Sequence, residues 1–237
     1  MADFFRRVEK KYILSREEYE LVKKEMAKYM VEDEHGQSTI CNIYLDSNEY
    51  ALITHSISKP VYKDKVRLRS YNIPKLSDTV YLEIKRKFEG VVSKRRIGIK
   101  LQDFYQYLEN PDSIEVSNKQ VKKELDYYFK YYNLKPAMFI SYVRSAYYGK
   151  DNRDFRVTFD SNILARNYHL KLEGGNYGVN IFDPNKYIME VKTLGSMPLW
   201  FVEILNKFKI GPAGFSKYGE GYTQLVLKAN DYERLVV

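Results

Sequence analysis

Arg and Lys stand at matching positions in a series of short runs along this 237-residue sequence: Arg67 and Arg69 in VRLRSYN, Lys85 in VYLEIKRK, Lys94 and Arg96 in VVSKRRIGIK, and Arg156 in DFRVTFD. Lys192 in YIMEVKT, Arg144 within Ala137–Tyr148 and Lys11 in the opening FRRVEKKYIL extend the series. Side chains alternate faces along a strand, so each run sorts into a cationic and an apolar set. Val66 and Leu68 oppose Arg67 and Arg69; Val80, Leu82 and Ile84 oppose Tyr81, Glu83, Lys85 and Lys87; Ile97 and Ile99 oppose Lys94 and Arg96. A charged face that meets water is ordinary, but this one is dominated by cations, which repel on adjacent strands unless a polyanion meets them. Guanidinium forks grip phosphate oxygens in pairs and ammonium groups add mobile point charges. Carboxylates recur at the same parity, Glu9, Glu83, Asp160 and Glu190. They offer oxygen ligands to Mg²⁺ or Mn²⁺ that is also bound to phosphates.

Composition agrees without choosing a partner. A net charge of +8 and a pI of about 9.2 point to an anion: nucleic acid, acidic membrane, nucleotide or another phosphate polymer. The 23 tyrosines are spread through helices and strands alike, with no compact aromatic signature of RNA recognition. Cys41 is the single cysteine, which excludes an internal disulfide and a Cys-built metal site and reads as a small buried residue rather than a nucleophile. His35, His55 and His169 are scattered and suggest no His-based site. No apolar run approaches the roughly 18 to 20 residues of a transmembrane helix, and the N-terminus has no signal-peptide core, so a cytoplasmic protein is expected. No linker or repeat divides residues 1–237, which read as one domain.

The elements that must position these residues are mostly strands. They are predicted over residues 5–14, Ser38–Ser47, the three-run meander of Lys65–Lys100, Ala137–Tyr148, Asp154–Asp160 and Tyr187–Thr193. A helix is predicted after Ser15, which forms a capping box with Glu18 ahead of Leu21, Val22, Met26 and Tyr29. Others are predicted at about Asn48–Ser58, Leu101–Leu108, Lys119–Tyr132, Pro198–Phe208 and roughly Thr223–Glu233, with Lys217 on a short loop ahead of the last. Helical spacing assigns Leu125, Tyr128, Phe129 and Tyr132 to the core. Arg166–Asn185 is polar and Gly-rich, a loop with one irregular strand. Antiparallel strands with an apolar face for helices and a charged face of shared parity predict an α+β fold: an antiparallel closed β-barrel, charged inside, with helices packed outside.

At this level the sequence resembles a known family. E-x-K-Y at Glu9–Tyr12, R-L-R at Arg67–Arg69, E-I-K at Glu83–Lys85, S-K-R-R at Ser93–Arg96, Y-V-R at Tyr142–Arg144, F-R-V-T-F-D at Phe155–Asp160, M-E-V-K at Met189–Lys192 and F-S-K-Y at Phe215–Tyr218 resemble, in order, the VTC domain. That domain is the polyphosphate polymerase branch of the triphosphate tunnel metalloenzymes. Each motif is weak alone and the ordered set is specific. The resemblance implies a triphosphate tunnel, ATP as phosphoryl donor, Mn²⁺ or Mg²⁺, and inorganic polyphosphate as product; the eukaryotic polymerases of the family carry additional phosphate-sensing and membrane parts that this sequence does not show, so a stand-alone catalytic domain is expected. The related CYTH enzymes resemble E-x-E-x-K at the first strand, where this chain has Arg7-Val8-Glu9-Lys10-Lys11. Replacing the first carboxylate by a cation weakens a hydrolytic reading, which needs carboxylates for metal and water, and favours an anionic chain.

On this resemblance Arg67, Arg69, Lys85, Arg144 and Arg156 are the expected catalytic cations, and Lys11, Lys94, Arg96, Lys192 and Lys217 the phosphate-binding ones. Glu190 leads as metal ligand, with Glu83 and Glu9 as further ligands or as anchors for Arg and Lys rotamers. The expected partners are ATP, triphosphate and polyphosphate; no specific nucleic acid is expected, and a membrane-protein recipient of the product is left open. Triphosphate hydrolysis and non-catalytic polyanion binding are the alternatives, separated by product analysis and by the salt dependence of binding.

Overall fold

The alternation becomes strands almost wherever it was read in the computed structural model, which describes residues 7–89, 91–114, 116 and 118–229. The strands are β1 (Arg7–Ser15), β2 (Met30–Asp46), β3 (Tyr62–Tyr71), β4 (Thr79–Phe88), β5 (Val91–Lys100), β6 (Lys135–Gly149), β7 (Arg156–Arg166), β8 (Val179–Asn180) and β9 (Lys186–Leu194). The helices are α1 (Arg16–Met26), α2 (Ala51–Ile57), α3 (Leu101–Glu109), α4 (Lys119–Tyr132), α5 (Leu199–Lys207) and α6 (Lys217–Tyr222). The fold is α+β with an antiparallel sheet, as expected. Its hydrogen-bonded order is β1-β9-β7-β6-β2-β3-β4-β5, with β8 on β7. The order begins at β1 and finishes at β5, so the ladders among the described residues do not themselves close the expected barrel.

The described residues divide into two compact units, the first within 1–38, 142–163 and 182–216, the second within 39–141, 164–181 and 217–237. In the first unit α1 starts as predicted: the Glu18 amide donates to Ser15 Oγ at 3.1 Å and the Ser15 amide to Glu18 Oε2 at 2.7 Å. Such a cap contributes about 1 kcal/mol. Val22 and Met26 of α1 and Phe201, Ile204 and Leu205 of α5 share a core with Leu14, Val157, Phe159, Met189 and Val191. These strand residues belong to the apolar sets, so the opposite faces carry the charges.

In the second unit Cys41, Ile43 and Leu45 of β2 join Val66, Leu68, Val80, Leu82, Ile84, Ile97 and Ile99 of the meander in one core. Leu101, Phe104 and Tyr107 of α3 and Val121, Leu125, Tyr128 and Phe129 of α4 cover it, while Tyr132 is partly buried at its edge. Burying each large side chain stabilises the unit by about 1.5–3 kcal/mol, which fixes the register, because a one-residue slip would turn the charged face inward.

Three boundaries differ most from the prediction. β2 begins at Met30 rather than Ser38, because ladder pairing overrides the poor strand propensity of the polar stretch Glu32–Gln37. β7 continues to Arg166 past Asn162, whose positive φ of 49° interrupts the pattern that ends the prediction at Asp160. The last helical segment starts at Lys217, not after it, and continues as a π-type turn at Thr223–Leu227; its predicted end at Glu233 lies outside the described residues. Gly219 and Gly221 read as loop residues in the sequence, yet both are buried in α6. A Cβ on Gly221 would meet Met138 Sδ at 2.5 Å, so any side chain there would have to displace the Met138 thioether.

Candidate functional site

In the second unit the register sets the site residues in rows. Arg67 of β3 faces Tyr44 of β2 and Glu83 of β4, and Glu83 faces Arg96 of β5. The next row towards the C-terminus of β3 joins Asn42, Arg69, Tyr81 and Gly98, and the row on the other side joins Lys65, Lys85 and Lys94. Glu83, only 1% exposed, is the hub: Arg67 meets its Oε2 through Nε at 2.9 Å and Nη2 at 2.8 Å, and Lys94 Nζ lies 2.5 Å from Oε1. Arg67 also donates to the Tyr44 hydroxyl at 3.4 Å. Arg69 donates to Asn42 Oδ1 at 2.9 Å, and Asn42 Nδ2 in turn donates to the Ile140 carbonyl at 3.0 Å. The guanidinium of Arg96 lies 4.5 Å from the Tyr81 ring centre. Burial pushes the Glu83 carboxyl up, but Arg67, Arg69 and Lys94 outweigh it and hold the group down at about 2. Burial and the same two arginines hold the Lys94 ammonium down at about 8 against the pull of Glu83. Among the described residues on this face of β3, β4 and β5, Glu83 is the sole acid. The cluster is therefore built to attract an anion.

Lys217 is brought to this unit as the first residue of α6. Its neighbour Tyr218 stacks on Tyr44 at 4.4 Å and donates to Asp46 Oδ2 at 2.8 Å, tying the helix to the site-bearing strand β2. Asp46 also accepts from the amides of Ser47, Leu52 and Ile53, so it anchors α2 as well.

The first unit holds the remaining predicted residues. Arg144 of β6 makes a two-point pair with the fully buried Asp160 of β7, Nε to Oδ1 at 2.6 Å and Nη2 to Oδ2 at 2.7 Å, and lies 3.9 Å from Glu190 Oε2. Burial opposes its charge, but Asp160 and Tyr142, helped by Glu190, hold its pKa well above the usual guanidinium value. Lys192 Nζ meets Glu190 Oε1 at 2.8 Å. Across the strands Lys11 faces Glu190, which faces Thr158, and Glu9 faces Lys192, which faces Arg156. Lys11 Nζ donates to the Phe215 carbonyl at 3.0 Å. Arg156 is exposed and donates to the Arg153 carbonyl at 3.4 Å. Arg7 lies in β1, but its side chain is outside the described ones, so the departure at that position stays a sequence observation.

The carboxylates sort by their suitability for a metal. Among the described residues no three His, Cys, Asp or Glu side chains gather into a cation cage. Glu83, predicted as a ligand, does not fit, because Arg67 occupies one of its oxygens and Lys94 the other. Glu190 and Glu9 lie diagonally across the β1–β9 ladder and suit a hard cation that arrives with phosphate oxygens and water as its other ligands. Cys41 is buried and its thiol is pushed up to about 11 by burial, which removes it as a nucleophile. The site residues that sequence reasoning left unnominated are Asn42, Tyr44, Tyr81, Tyr142 and Thr158; Tyr81, Tyr142 and Thr158 share strand and parity with nominated cations, which was the available signal, whereas Asn42 and Tyr44 lie on β2, without a nominated cation, and join the site only through its register with Arg69 and Arg67.

Solved structures with this fold include a candidate adenylate cyclase from Bacillus halodurans (15% identity, 89% of this chain and 95% of that one, TM-score 0.54) and another from Vibrio parahaemolyticus (12%, 90% and 96%, TM-score 0.50). A third is a candidate adenylyl cyclase from Hippeastrum described as having a dominant triphosphatase activity (15%, 92% and 94%, TM-score 0.52). At these identities the likeness establishes the fold. No curated protein matches the chain. The VTC domain matches residues 6–226, spanning all nine strands and both charged clusters, and the chain belongs to the VTC-domain family.

Proposed function

We propose that the protein is a polyphosphate polymerase, which transfers the γ-phosphoryl group of ATP to the end of a growing inorganic polyphosphate chain. The observation that supports this most is the gathering of Arg67, Arg69, Lys85, Lys94 and Arg96 around one buried carboxylate on strands of a VTC domain. In the reaction a terminal oxygen of the chain attacks the γ-phosphorus, the bond to the bridging oxygen of the β-phosphate breaks, and ADP leaves. The acceptor is already an oxyanion, so no general base is required. What the protein must supply is alignment of two repelling anions and compensation of the charge on the transferred group.

Arg67, Arg69, Lys85, Arg144 and Arg156 take the second role, and Lys11, Lys94, Arg96, Lys192 and Lys217 hold phosphates of donor and chain. Glu83 and Asp160 fix the Arg67 and Arg144 forks, so little side-chain freedom is lost on binding. Glu190 and Glu9 would hold Mn²⁺ or Mg²⁺, which when bound neutralises phosphate charge and polarises the transferred group.

Triphosphate hydrolysis is the second reading, favoured by the activity described for the Hippeastrum protein, since the same cations serve when water is the acceptor. Incubating the purified chain with ATP and Mn²⁺ or Mg²⁺ and resolving the products tests both. A ladder of lengthening phosphate chains is expected; orthophosphate alone would make water the acceptor, and unchanged ATP would contradict catalysis.

A further inference from the structure

Thr158 on β7 is 9% exposed, and its hydroxyl has no hydrogen-bond partner. An unsatisfied buried hydroxyl costs about 1–3 kcal/mol, so each one calls for an explanation. The other buried side-chain atoms without hydrogen bonds have a different setting. Asp64 Oδ1 lies 3.5 Å from Arg86, Glu83 Oε1 meets Lys94, and Glu124 Oε2 lies 3.7 Å from Arg86, so all three stand in ion pairs. Tyr147 packs with the apolar core of the first unit, its hydroxyl beside Lys23.

Thr158 belongs to the opposite face. Val157 and Phe159 fill the core on either side of it, which puts Thr158 with Arg156 and Asp160 on the charged face. Its cross-strand neighbour is Glu190, whose Oε1 is taken by Lys192 at 2.8 Å, and Lys11 stands beyond Glu190 in the same row. A hydroxyl hydrogen needs an acceptor, while Lys11, Lys192, Arg144 and Arg156 on this face carry only donors, and the two carboxylates beside it, Glu190 and Asp160, are engaged by Lys192 and Arg144. The missing partner is thus an acceptor that cations also attract, and an anion with several oxygens satisfies both. We propose that Thr158 donates a hydrogen bond to a phosphate oxygen of the bound substrate, making it a substrate-binding residue of the first unit's cluster. This rests on the polyphosphate reading above and adds to it a neutral donor that distinguishes phosphate oxygens by position rather than by charge.

The test is calorimetric titration of inorganic triphosphate, in EDTA, into the wild-type chain, Thr158→Val and Thr158→Ser, with the melting temperature of each. Valine keeps the branched shape and removes the orphan hydroxyl, so Thr158→Val should melt at the wild-type temperature or above it. It should bind triphosphate about tenfold more weakly, the loss of one hydrogen bond to a charged group. Thr158→Ser, which keeps the hydroxyl, should bind within about twofold of wild type on the same reasoning. Wild-type affinity in Thr158→Val, an equal loss in Thr158→Ser, or a loss seen only when Mn²⁺ is added would each overturn the assignment while leaving the polyphosphate reading standing. A wild-type chain that does not bind triphosphate would overturn both.

Discussion

The charged clusters of the two units are built on opposite principles. In the second unit Arg67 and Lys94 converge on one carboxylate, Glu83, and Arg69 is held by the amide of Asn42. In the first, acids and cations are matched: Asp160 takes Arg144 through both oxygens, and Glu190 takes Lys192. A shared acid leaves positive charge over for a ligand, whereas matched pairs neutralise theirs and hold geometry. The comparison teaches that cations alike in sequence do different work according to how many acids share their face.

Removing an arginine should separate the two designs most sharply. Arg144→Ala takes the two-point partner from Asp160, which is 0% exposed, and should cost about 3 kcal/mol of stability, the lower end for breaking a buried pair. Arg67→Ala leaves Lys94 on Glu83 and should cost about 1 kcal/mol while abolishing polymer synthesis. Denaturant melts of the two variants check this; equal losses would mean that the clusters are not differently built.

Alkaline pH should distinguish the units next. Lys94 is held down at about 8 from an ordinary 10.5, so between those values the unfolded chain carries a proton that the folded one has shed. Stability therefore rises with pH across that window, while triphosphate affinity falls, because the ligand prefers the ammonium. Triphosphate titrations at pH 7 and 9 should show weaker binding at pH 9, with proton uptake near pH 8 to 9, and Lys94→Arg should flatten the difference. On the acid side the stabilisation from Glu83 is complete above its ordinary 4.5 and is lost as pH falls towards 2. Arg144 stays charged throughout and contributes to neither trend.

The smallest contrast is between neighbours on β5. Arg96 shares the face of Lys94, while Arg95 turns the other way to pair with Glu124 of α4, its side chain 44% exposed. Arg96→Ala should weaken triphosphate binding several-fold by loss of one cation. Arg95→Ala should leave it unchanged and alter stability by less than about 1 kcal/mol, as expected for a surface pair. A drop in affinity for Arg95→Ala would undo the parity assignment of the strand.

Parity made most of both clusters legible. Wherever an apolar core lies on one face, a period of two decides which residues share the other, so Arg67, Glu83, Arg96, Glu190 and Lys192 could be sorted before any coordinate was known. Pairing across strands was not legible. Nothing in the sequence says that Glu83 belongs to Arg67 and Lys94, or Asp160 to Arg144, because even between successive strands the partners depend on the register that the turns set, which parity alone does not give; the sequence therefore leaves Glu83 among the candidate metal ligands. The sequence puts Lys217 on a loop because Gly219 and Gly221 imitate one locally, and the close approach of Met138 to Gly221 is visible only in the fold. Thr158 escaped notice because a buried hydroxyl is remarkable only once its lack of a partner is visible.

The central claim, that these faces are made for a phosphate chain, is tested most directly by the melting temperature in inorganic triphosphate without metal. A ligand that binds only the folded state stabilises it by about 2.7 kcal/mol at a hundred times its dissociation constant. The account predicts a rise of several degrees in millimolar triphosphate for the wild type, a smaller rise for Arg67→Ala, and little change with equimolar sulfate. A melting temperature that stays fixed in triphosphate, or that sulfate raises equally, would contradict it.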